Sequence, residues 1–104
     1  MGSRLDRVTD WDRIAKDAGY RGGKLADLLE VDRRQLNRYF HLHFNISAEE
    51  ALQGLRIKVA EQLLNEGKMV KEVADELGYK NPTDFSYAFT RARGLRPTEF
   101  RRLR

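Results

Sequence analysis

The sequence predicts an all-α fold of about seven helices. Apolar residues recur three and four positions apart along most of the chain, the spacing that gathers them on one face of a helix. No stretch alternates apolar and polar residues as a half-buried strand would. The prolines, Pro82 and Pro97, both stand where a helix would begin, a position that tolerates their missing N–H.

In chain order, residues 1–8 are expected to be a leader, disordered or a tag remnant beginning Met1-Gly2-Ser3. Thr9 is the expected N-cap of a first helix with the stripe Trp11, Ile14, Ala15 and Ala18, ended by Gly19. Gly22 and Gly23 read as a loop. Leu25, Ala26, Leu28 and Leu29 make a short second helix. Asp32 with Gln35 forms a capping box that opens a third, burying Leu36 and Phe40 together with Tyr39 and Phe44. A second capping box, Ser47 with Glu50, opens a connecting helix over residues 48–66, helical to about Asn65 and marked by Leu52, Leu55, Val59 and Leu63. Val73, Ala74 and Leu77 give a fifth helix closed by Gly78. Asn81 as N-cap and Pro82 at the first helical position open a sixth, burying Phe85, Ala88 and Phe89. Pro97 opens the last, with Phe100 and Leu103 turned inward.

A long internal repeat organises these elements. Leu25-Ala26-Asp27 returns 48 positions on as Val73-Ala74-Asp75. Beyond the turn the offset becomes 49, matching Leu36 to Phe85, Phe40 to Phe89, Asn45 to Gly94 and Glu50 to Glu99, so the second turn has gained one residue. Each copy is a short helix, a tight turn and a longer helix. That is the outline of a helix-turn-helix, in which the first helix braces the second and the second lies in the major groove of B-DNA. The chain thus divides into a first subdomain over residues 9–47, the connecting helix over 48–66 and a second subdomain over 67–104.

The longer helices carry hydrogen-bonding side chains opposite their buried faces. Arg34, Asn37, Arg38 and His41 fill four slots in the first copy, and Thr83, Ser86, Tyr87 and Thr90 fill the same slots 49 positions later. Base edges ask for such groups: Arg for guanine O6 and N7, Asn for adenine, hydroxyl or methyl groups for thymine. Arg33, Lys80, Asn81, Arg91, Arg93, Arg96 and Arg56 are the candidates for phosphate contact around them. One amphipathic helix always shows a polar side and would say little; two in register, each preceded by apolar-Ala-Asp and a turn, say more. The last residues hold Arg91, Arg93, Arg96, Arg101, Arg102 and Arg104 against Glu99 alone, and both phosphate binding and a solvated, fraying terminus stay open there.

Composition agrees with this reading. Twenty Lys and Arg against 16 Asp and Glu give a formal charge of +4, a moderate basic bias that suits a polyanionic partner. The absence of cysteine excludes disulfides and thiolate metal sites. His41 and His43, two apart, point to different sides of a helix, which disfavours a metal site, and no cofactor is expected. No Ser/His/acid set or glycine-rich phosphate loop points to an enzyme. With no membrane-length apolar run and no signal-peptide core, the expected location is the cytoplasm.

From Leu25 to Arg102 the sequence resembles the DNA-binding domain of the AraC family of transcription regulators. The residues that carry the resemblance are Val73-Ala74, Leu77-Gly78-Tyr79, Phe85, Phe89 and Arg93-Gly94-Leu95-Arg96-Pro97-Thr98-Glu99-Phe100-Arg101, with Leu55-Arg56 and Leu63-Leu64 in the connecting helix. The resemblance implies two recognition helices entering successive major grooves of double-stranded DNA, about 34 Å apart, at a bacterial promoter. RNA polymerase is a further partner it suggests, and a small-molecule effector enters only if a separate sensing domain exists. Tyr87 and Thr90 depart from the family pattern, in which basic residues are frequent at those positions, and Ala48 stands where the second copy has Pro97. The departures at Tyr87 and Thr90 motivate a rival reading, a protein-interaction module of the same fold acting on another regulator or on polymerase.

Overall fold

A computed structural model describes residues 4–103. Among these residues there are seven α-helices and no strand, as the spacing of apolar residues predicts. The chain divides between Leu55 and Arg56 into two compact units. Each contains one helix-turn-helix, and the helix α4, Ala48–Asn65, runs from one unit into the other. Among the described residues no helix is long and apolar enough to cross a membrane.

In the first unit, α1 (Trp11–Asp17), α2 (Gly22–Leu28) and α3 (Arg33–Phe44) close around Ala15, Ala18, Leu25, Ala26, Leu36 and Phe40, all buried. Of the expected leader, Met1 to Ser3 lie outside the described residues, while Arg4–Arg7 form a 3-10 turn with Leu5 buried. The cap of α1 is Asp10 rather than Thr9: its carboxylate accepts from the Arg13 amide at 3.1 Å, a stronger acceptor for an orphan N–H than a hydroxyl one residue too early. Gly22 and Gly23 are not a loop but the first turn of α2. The capping box of α3 forms as expected, with Gln35 N to Asp32 Oδ1 at 2.7 Å and Asp32 N to Gln35 Oε1 at 3.0 Å. Trp11 packs edge-on against Phe40, and Tyr39 is half-buried in the same aromatic group. Phe44, expected inside, is 52% exposed because α3 ends there and Asn45 turns the chain through a left-handed φ of 58°.

In the second unit the C-terminal half of α4 buries Ile57, Ala60, Leu63 and Leu64 with Val73 and Ala74 of α5 (Val70–Glu76), its C-cap Leu77, and Phe85 and Phe89 of α6 (Pro82–Arg93). Leu55 and Val59, expected on the buried stripe of α4, are only half-buried. Ala48 and Leu52 form one buried series and Ile57, Ala60 and Leu64 another, and the step from 52 to 57 breaks the helical repeat, so no single stripe describes this helix. Gly78 closes α5 in the left-handed region, φ 78°, with the Tyr79 amide bonded back to Ala74 O. Asn81 caps α6 by accepting from the Asp84 amide at 2.8 Å, ahead of Pro82. Pro97 opens α7 (Pro97–Leu103) and is itself buried, and Phe100 stacks edge-on against Phe89 at 5.5 Å. Leu103, expected inside, is 78% exposed at the last position of α7.

Candidate nucleic-acid interface

The repeat read from the sequence is a repeat in structure. Helices α3 and α6 are both 12 residues long and begin and end at matched positions. Their paired apolar residues, Leu36 and Phe40 in one and Phe85 and Phe89 in the other, are buried. The turn before α3 spans residues 29–32 and the turn before α6 spans 77–81, which is the one-residue gain.

Opposite those buried pairs, Arg34, Arg38 and His41 of α3 are exposed, as are Thr83, Tyr87 and Thr90 of α6. The remaining slot of each set, Asn37 and Ser86, is half-buried. Asn37 Oδ1 accepts from the Ala48 amide at 3.0 Å, satisfying one of the orphan donors at the start of α4. This bond takes one of the two lone pairs of Oδ1, so Asn37 ties the start of α4 to α3 besides bordering the outward face.

An outward member of α3 that a search for polar stripes passes over is Leu42, 76% exposed, one helical turn beyond Arg38. On α6, Tyr87 is 65% exposed, with the Arg91 guanidinium 5.9 Å from its ring centre. The first face therefore carries two guanidinium groups in its four slots and the second carries none.

The phosphate candidates separate on inspection. Lys80 and Arg91 are exposed near the second face, and Arg33 is exposed beside Asn37 on a small cleft with Gly22, Ser47 and Glu49. Asn81 is committed to its cap. Arg93 donates from Nε and Nη2 to Glu61 Oε1 at 3.0 and 2.8 Å, and Arg96 stands 3.6 Å from Glu99, a largely solvated pair that holds it only weakly. Arg101 donates to the Gly67 carbonyl at 3.2 Å, so at least this member of the basic end is tied back. Arg104 lies outside the described residues.

Arg56 departs furthest from the expected phosphate role. Its Nε and Nη2 both donate to the Leu77 carbonyl, at 3.0 and 2.7 Å, and its guanidinium lies 3.7 Å over the Tyr79 ring. Burial pushes the Tyr79 phenol above its ordinary pKa, with the Arg56 charge opposing part of that rise. Nothing in the sequence distinguishes an arginine that meets a helix-end carbonyl from one that meets a phosphate.

The family model described as a helix-turn-helix domain matches residues 25–103. The chain is similar to the raffinose operon transcriptional regulatory protein RafR of Pediococcus pentosaceus, 34% identical over 79 residues, which cover 75% of this chain and 28% of that protein. The HTH-type transcriptional regulator CdhR of Pseudomonas aeruginosa is 32% identical over a similar stretch, 24% of its own length. The chain thus spans about a quarter of the curated relatives it matches. Among solved structures, it resembles the C-terminal domain of AraT, a response regulator from Geobacillus stearothermophilus, with a TM-score of 0.75, 27% identity and coverage of 94% of this chain and 88% of that one. It also resembles the transcriptional regulator CdpR of Pseudomonas aeruginosa, with a TM-score of 0.77, 29% identity and coverage of 98% and 32%. With the repeat, the paired recognition helices and these likenesses in place, the chain belongs to the AraC-type family of helix-turn-helix domains, the DNA-binding parts of transcription regulators.

Proposed function

We propose that this domain reads a two-part operator at a bacterial promoter, with α3 in one major groove and α6 in the next. The observation that carries the reading is the exposure of equivalent slots on two helices of equal length, braced in the same way by a shorter helix. Arg34, Arg38 and His41 read bases in one half-site, and Thr83, Tyr87 and Thr90 read the other. Asn37 and Ser86 contribute from the edge of each face. Arg33, Lys80 and Arg91 meet phosphates, and Arg96 joins them where DNA displaces its weak pairing with Glu99. The domain works in the cytoplasm without a cofactor, RNA polymerase is the protein it would recruit, and a small-molecule signal would reach it through a separate sensing domain.

Selection of bound sequences from a random duplex pool tests this. The expected motif has two half-sites with centres about 10 base pairs apart. Enrichment of a single half-site, or of nothing, would refute it.

A further inference from the structure

We propose that Arg56 is the positioning residue that fixes the recognition helix of the second unit, acting on DNA through α6 and not through phosphate. This rests on the operator reading above.

The contacts form a continuous chain. Arg56 projects from α4, and its Nε and Nη2 both donate to Leu77 O, the C-cap carbonyl of α5. That carbonyl belongs to the negative end of the helix, where a cation is favoured. The same guanidinium covers one face of Tyr79 at 3.7 Å, and Tyr79 packs on Phe85 of α6 at 5.3 Å between ring centres. Phe85 in turn packs on Phe89 along the buried side of α6. The turn from α5 to α6 is thus gripped by its carbonyl and by its aromatic ring from a single side chain. A planar fork is needed for both contacts at once: a lysine offers one point charge and no plane to stack. The hydrogen bonds also use two of the donors that a phosphate would require.

The experiment compares the protein and Arg56→Lys on the selected operator, on the operator with its first half scrambled and on the operator with its second half scrambled, across a salt series. Helical content and melting are followed by circular dichroism. Loss of the grip should abolish discrimination at the second half-site, lowering affinity for the intact operator about tenfold or more, while discrimination at the first half-site stays as in the parent. The slope of log K against log salt should not move. In Arg56→Gln, which removes the charge that lysine keeps, a slope smaller by about 0.9, with both half-sites still discriminated, would make Arg56 a phosphate contact and overturn the proposal. So would an unchanged protein in every respect. If Arg56→Lys loses its helical signal, Tyr79→Leu, which keeps the cation and removes the ring beneath it, carries the same comparison: the selective loss at the second half-site supports the grip and its absence refutes it. Failure of the parent to bind any duplex would instead remove the operator reading, an outcome distinct from all of these.

Discussion

At the scale of single residues, the two faces ask different things of DNA. Arg38 is exposed opposite the buried Leu36 and Phe40, and a bidentate contact to guanine is what its chemistry and placement suit. Arg38→Ala should cost about 1–3 kcal/mol on the selected operator, measured by fluorescence anisotropy, and relax the preference at one base pair. An unchanged affinity removes it from the reading set. Leu42 invites a separate test, since an exposed side chain of this kind suits the 5-methyl group of thymine. Replacing thymine by uracil at successive positions of the first half-site removes methyl groups alone. One such replacement should weaken binding by about 0.8 kcal/mol, roughly one methyl-sized group's worth of burial, and Leu42→Ala should be indifferent to it. If the variant remains as sensitive as the parent, Leu42 makes no such contact.

Among the elements, those set by local rules were legible and those set by tertiary contact were not. The capping boxes at Asp32 and Ser47 and the Asn81-Pro82 entry each depend on residues within one turn, and each is found where the sequence puts it. Asp10 against Thr9 was undecidable from pattern, both being capping types side by side. The glycines at 22 and 23 read as loop because glycine disfavours helix, a preference that packing around Leu25 and Ala26 overrides. The contacts of Asn37 and Arg56 are not legible in the sequence for one shared reason: their partners, Ala48 and Leu77, lie 11 and 21 positions away, and no periodicity announces such a bond. The turn that Arg56 grips offers its own measurement. The Tyr79 hydroxyl is buried without a hydrogen-bond partner among the described residues, and its pKa is raised mainly by that burial. A raised folded-state pKa stabilises the fold fully below the unfolded value of about 10, and that contribution is lost as pH climbs through the folded value. Melting followed from about pH 9 upward should therefore fall more steeply for the parent than for Tyr79→Phe, which should be as stable or more so at neutral pH. Equal slopes for the two would show that the phenol is solvated.

For the molecule as a whole, the repeat does more than place two similar helices, because its copies have diverged in charge. The first face holds Arg34 and Arg38, and the matched positions of the second hold Thr83 and Tyr87. Phosphate and guanine contacts made by cations weaken as salt rises, whereas hydroxyl and methyl contacts scarcely respond. A domain truncated of its guanidinium groups by Arg34→Gln and Arg38→Gln should accordingly show a shallower dependence of log K on log salt, while Thr83→Ala and Thr90→Ala should weaken binding without altering the slope. Identical slopes for both double variants would mean that the cations of the first face stay in solvent.

Under the proposed reading, that divergence would make the operator's two halves unequal in a way that depends on the medium. In dilute buffer the arginine-bearing half would dominate occupancy, and in concentrated electrolyte the neutral half would hold a growing share of the discrimination. The same promoter sequence would then be ranked differently by a cell under osmotic load than by one at rest, with no change in the protein and no ligand involved.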